Sequence, residues 1–231
     1  MKLSTRAAIA VAFSIASAAH AEPGGTSSVY GPSVERGESE LEYRGAVFHG
    51  GALDGAAMHR FEAGFAFTDW WRPALIAQGV DLPGADFELS TIAVENVFDF
   101  KNTRSWPVHL GGYVEYAFAQ NGGDDAIEFK LLAERRNGAL TARANLIAER
   151  HVGDDASDEW EYGYAARFMW RASEHLSLGI EGFGEPEARA HYWGPRLSFP
   201  LGEASVGLGY LVGMGEAQSD GQLRIAFEIE R

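Results

Sequence analysis

The sequence predicts an all-β fold: a single antiparallel up-and-down transmembrane β-barrel of about twelve strands, with roughly ten and fourteen as bounds. Three observations carry that expectation. Apolar and polar residues alternate with a period of two over segment after segment. The connections between segments alternate in length, long ones being acidic and glycine-rich. Finally, 28 glycines in 231 residues, with 12% aromatics, favour strands and turns over helices.

The chain opens with Lys2 and Arg6 ahead of an apolar stretch from Ala7 to Ala19 and the small-x-small pattern Ala19-His20-Ala21. That is the pattern of a cleaved export signal, expected over residues 1–21. The apolar run is too short to span a bilayer as a helix, and no later run reaches the ~20 apolar residues such a helix needs. A loose Pro/Gly/Ser stretch follows, so residues 22–37 are expected to form a periplasmic leader and residues 38–231 the barrel.

The segments follow in order. The first sets Leu41, Tyr43 and Val47 against Glu40, Glu42 and Arg44; the second sets Phe61, Ala63, Phe65 and Phe67 against Arg60, Glu62 and Thr68. The third (Trp71 to Gln78) and fourth (Phe87 to Asn96) carry apolar residues on both parities, and Leu89 and Ile92 can share a face only if a bulge intervenes. The fifth opposes Val108, Leu110, Val114, Tyr116 and Phe118 to His109, Tyr113 and Glu115, and the sixth opposes Ile127, Phe129 and Leu131 to Glu128, Lys130 and Glu134. Arg136-Asn137-Gly138 is a tight hairpin signal. The seventh alternates Leu140 to Ala148 with Thr141, Arg143, Asn145 and Glu149; the eighth alternates Trp160 to Trp170 with Glu161, Gly163, Arg167 and Arg171. Four more run from Leu176, His191, Ala204 and Leu223.

Alternation alone also fits a secreted soluble β-sandwich, so the direction of the dry face decides. The polar parity mixes ionised side chains with Gly111, Gly163, Gly179, Gly194, Gly207 and Gly209, a composition suited to a crowded wet interior. Connections at 50–57, 79–86, 120–125, 152–158, 184–188 and 213–221 are long, and most of those between them are short turns. The 99–105 link is the exception. Trp70, Trp71, Trp106, Trp160 and Trp170 sit at segment ends, where an interface girdle would place them.

With this pattern, and with the alternating last segment Leu223-Arg-Ile-Ala-Phe-Glu-Ile-Glu-Arg231, the chain resembles Gram-negative outer-membrane β-barrel proteins, the porin-like ones included. Barrels of that class usually end in Phe or Trp, whereas Arg231 ends this one. The resemblance implies an outer-membrane location reached through the signal peptide, with outer-membrane lipid, lipopolysaccharide and the assembly machinery as partners. It also implies porin-like transport of small solutes, the solute itself unspecified.

If apolar parities face lipid, Glu42, Arg44, Glu62, Glu115, Lys130, Glu134, Arg143, Glu149, Glu161, Arg167, Glu181, Arg224 and Glu228 face the lumen. Two readings stay open. These charges form a structural network that bridges neighbouring strands, or they line a narrow path whose negative potential admits small polar or cationic solutes. A third, a non-conducting barrel whose loops bind something outside, stays beside them. Composition narrows the chemistry: the charge of −14 disfavours nucleic acid, and the absence of cysteine removes thiol chemistry and Cys-ligated metals. His49, His59, His109, His151, His175 and His191 show no metal-binding spacing, and no Gly-x-Ser-x-Gly elbow occurs. Neither enzyme activity, metal nor cofactor is expected. A hydrolase pairing such as His191 with a neighbouring serine is the minority alternative.

Overall fold

A computed structural model describes residues 23–154 and 156–231; the expected signal segment lies outside the described residues. Twelve strands form one closed sheet: β1 (Ser39–His49), β2 (Ala57–Phe65), β3 (Trp71–Asp81), β4 (Glu88–Asp99), β5 (His109–Ala119), β6 (Asp125–Asn137), β7 (Leu140–Val152), β8 (Glu161–Ser173), β9 (Leu176–Glu185), β10 (Ala190–Leu201), β11 (Ala204–Gly215) and β12 (Gly221–Glu230). Each pairs antiparallel with its sequence neighbours, and β1 pairs with β12 from Glu40↔Glu230 to His49↔Gly221. Closure leaves no sheet edge unpaired.

The side chains partition inside out. Leu75 is 64% exposed, Leu146 63% and Leu223 58%, while Glu95 and Glu181 are 0% exposed. Exposing one large aliphatic side chain to water forfeits roughly 1.5–3 kcal/mol of burial. A soluble protein does not repeat that around a whole cylinder, and a lipid-facing surface incurs no such loss.

The irregular third and fourth segments have local causes. Gln78 pairs with Thr91 and Gly79 with Leu89, so Ser90 is an extra residue in β4 and its hydroxyl donates to Gln78 O at 3.1 Å. That bulge turns Leu89 and Ile92 to the same outer face, each 41% exposed. Gly79 faces Phe87 there, and a Cβ on it would meet the ring at 2.3 Å. Val80, an inward residue of β3, is apolar because it packs with Phe48, Leu53 and Met58 in a cluster at one mouth.

Barrel geometry defines two ends. The near end holds Ser39 and Arg231, whose backbones bond to each other at 2.7 and 2.9 Å; Arg231 thus completes the seam, with its side chain turned out to Glu203. The far end carries the connections after β1, β3, β5, β7, β9 and β11. Trp70, Trp71, Trp106 and Trp170 lie toward the near end and Trp160 at the far end, Trp106 being the most exposed at 57%.

Residues 23–37 depart from expectation. Instead of hanging outside the barrel as a leader, they run through its lumen from the far end to the near end, where Gly37 N–H donates to Ala66 O at 2.8 Å and the polypeptide enters β1. Val29, Tyr30 and Val34 are buried. The physical reason is that the lumen offers side-chain partners for this segment's backbone, which has no strand period of its own.

Candidate functional site

The lumen is the candidate site, and three arrangements fill it. The first is the threaded segment. Gln222 brackets its start: the side-chain oxygen accepts from Gly25 N–H at 2.8 Å while the amide donates to Pro23 O at 2.9 Å. Arg224 donates to the carbonyls of Gly25, at 2.9 Å, and Ser27. Asn145 does the same for Tyr30 with both ends of its amide, at 2.8 and 3.0 Å. At the near end Val34 donates to Asp99 at 3.3 Å and accepts from Arg104 at 2.9 Å. Every one of these bonds is to the backbone, and small residues permit the fit. A Cβ on Gly31 would come within 2.9 Å of the Arg143 guanidinium.

Tyr30 anchors the segment. Its hydroxyl donates to Glu95 Oε2 at 2.8 Å and accepts from Arg44 at 3.0 Å, its ring lies 4.8 Å from that of Tyr113, and Lys130 Nζ stands 4.9 Å from the Tyr30 ring centroid. Below it Val34 packs with Ala66, Val97, Tyr113 and Leu132, so the segment is held in the near half of the lumen by apolar contact as well as by polar bonds.

The second arrangement is a row of carboxylates. Glu95, Glu115, Glu128, Glu149 and Glu161 stand directly opposite one another in register across β4 to β8. Like charges in that relation repel and must be offset. Arg60 pairs with Glu115 at 2.6 Å and lies 3.6 Å from Glu95, and Lys130 pairs with Glu128 at 2.9 Å. Among the described residues Glu149 and Glu161 have no ion-pair partner. They border a cavity of about 450 Å³ between the threaded segment and the wall, lined also by Glu115, Glu128 and His151 and by the cations Arg44, Arg60 and Lys130. A shorter row, Glu228, Glu42 and Glu62 across β12, β1 and β2, is offset by Arg44, which lies 3.1 Å from Glu42 and 2.5 Å from Glu62.

The third is an arginine cage. Glu181 of β9 is met by Arg224 at 3.0 Å, Arg196 at 3.2 Å and Arg167 at 3.4 Å. Gly207 and Gly209 make room for it: a Cβ on Gly207 would meet the Arg196 guanidinium at 2.2 Å. Glu134 sits apart, between Arg143 at 2.6 Å and Arg136 at 2.7 Å.

The thirteen charged residues expected in the lumen are on inward parities and pair in local groups, two of which, Glu42–Arg44–Glu62 and the carboxylate row, are joined through the Tyr30 hydroxyl. Sequence reasoning missed the apolar lumen residues, such as Leu132 and Phe183, and the amide pair Asn145 and Gln222. The sixth tryptophan, Trp193, lies outward on β10 and donates to Tyr164 at 3.0 Å. A signal for Asn145 existed, since it is the one amide among the inward residues of β7, but nothing in the pattern said what it would hold.

No family model and no curated protein matches the sequence. Solved structures do. The barrel is similar to the NanC porin (TM-score 0.62, 11% identity, covering 82% of this protein and 98% of that one). It is also similar to the KdgM porin in complex with disordered oligogalacturonate (0.61, 10%, 82% and 98%). The fold is that of an outer-membrane porin. A third porin-fold match, the COG4313 outer membrane channel from Pseudomonas putida F1, covers 91% of this protein and 99% of its own length, with a TM-score of 0.58 and 11% identity. At these identities the shared property is the closed porin-fold barrel itself, and the residues of the lumen are this protein's own.

Proposed function

We propose that the protein is an outer-membrane porin-like barrel that passes small polar or cationic solutes, entering at the far end beside the carboxylate row of β5 to β8. The observation that carries the reading is the pair Glu149 and Glu161: two inward carboxylates without a cationic partner among the described residues, bordering a cavity of about 450 Å³. A negative arc in a low-dielectric wall concentrates cations and repels anions. The far end faces outward, and the near end, where Ser39 meets Arg231, faces the periplasm, the orientation that long and short connections have in such barrels. Export by residues 1–21, contact with lipopolysaccharide and delivery by the assembly machinery belong to the same proposal, and no residue is assigned to catalysis.

Planar-bilayer recording of the full-length protein in a KCl gradient tests it. Current steps with a cation-selective reversal potential are expected, and replacing Glu149 and Glu161 together with Gln moves that potential most of the way to zero. A second reading, a non-conducting structural barrel, draws on the threaded segment that fills the near half of the lumen. Folded protein without current steps favours that second reading.

A further inference from the structure

We propose that the lumen carries a binding track for the backbone of an extended peptide, occupied by residues 23–34 of the protein itself, and that a free peptide of similar chemistry can take their place. The proposal deepens the passage reading above and rests on it for its ligand's route. Several features of the contacts support it. Asn145 and Gln222 each use both ends of a side-chain amide on a backbone N–H and a backbone carbonyl, the pairing that a neighbouring strand would otherwise supply. Arg224 takes two further carbonyls, and Asp99 with Arg104 repeats the donor-acceptor pair at Val34. Groups of this kind read a peptide backbone and are nearly indifferent to its side chains.

Side-chain demands are few and specific. Gly31 is required small by Arg143, and a Cβ on Gly24 would meet the Gln222 side-chain oxygen at 2.6 Å. An aromatic ring with a hydroxyl is required at the Tyr30 position, between Lys130, Tyr113 and Glu95. The ligand class is therefore a glycine-bearing extended peptide with one tyrosine. Holding the segment is not free: ordering each residue costs conformational entropy that a single neutral hydrogen bond barely offsets. The anchor decides occupancy. A Tyr30→Ala change in the full-length protein loses the buried ring and its hydroxyl bonds, weakening the internal segment about a hundredfold or more, enough for a free peptide to compete with a tethered one.

The probe is a fluorescently labelled synthetic peptide with the sequence of residues 23–34, added to full-length protein in detergent and to the same protein in planar bilayers. Saturable binding to the Tyr30→Ala protein is expected, about tenfold weaker after Asn145→Leu removes the two amide hydrogen bonds, and weaker again for a peptide carrying Ala at the tyrosine position. In bilayers the same peptide lowers the raised current of the Tyr30→Ala protein. A lock provides the second variant. A Cβ built on Gly111 lies 2.7 Å from Pro32 Cβ and 2.6 Å from the Phe98 carbonyl oxygen, so cysteines in Pro32→Cys/Gly111→Cys can bond once the threaded segment and the β5 backbone move apart by about 1 Å, in a protein with no cysteine of its own. Oxidised, that protein should refuse the peptide; reduced and carrying Tyr30→Ala, it should bind. Peptide binding that ignores both Asn145 and the lock overturns the track, as does no binding to an unlocked Tyr30→Ala protein that folds and conducts. Lock- and Asn145-dependent binding without any current supports the track and instead overturns the passage reading.

Discussion

The two halves of the lumen wall solve the problem of interior charge in opposite ways. On β8 to β12, three arginines converge on one carboxylate, Glu181, and glycines on the facing strands leave space for their guanidinium groups. On β4 to β8, five carboxylates stand in one cross-strand row and share two cations, Arg60 and Lys130. The first half gathers more guanidinium than carboxylate around one buried anchor and holds the threaded segment through Arg224. The second is left short of positive charge beside the cavity. Pairing of charges within the wall fixes shape, and an unpaired surplus is what a mobile ion can feel.

Graded substitution of single carboxylates sharpens this contrast, with unfolding by urea in lipid vesicles, followed by the heat-modifiable gel shift, as the common measurement. The largest effect is expected for Glu181→Gln, which leaves three buried guanidinium groups without their counter-charge and costs about 3–5 kcal/mol. Glu134→Gln is intermediate, at roughly 1–2 kcal/mol, because Arg143 and Arg136 are partly solvated and keep water as an alternative partner. Glu149→Gln comes last and is expected to fall within about 1 kcal/mol of the parent, with a stabilising sign, since it removes a repelling charge opposite Glu128 and Glu161. An inverted order would break the comparison, showing that the carboxylate row, and not the cage, holds the barrel together.

Much of the wall was legible before any coordinates. Period-two alternation marks Leu146 and Phe168 as outward and Arg143 and Arg167 as inward because a strand has only two faces, and the conflict between Leu89 and Ile92 demanded the bulge that Ser90 supplies. The groupings inside were not legible. Whether Glu149 meets an arginine or another glutamate depends on register, and a shift of two residues in β7 against β8 preserves every inward side chain while changing all of its neighbours.

Strands, their polarity and the charge carried by the wall can be read from the residues in order, since each follows from the chemistry of one residue and its parity. Tertiary structure alone decided that residues 23–37 lie within the barrel, because a segment without a period of its own takes its place from its partners. Asn145, Gln222 and Arg224 are far away in sequence, and only closure of the sheet brings them around that backbone.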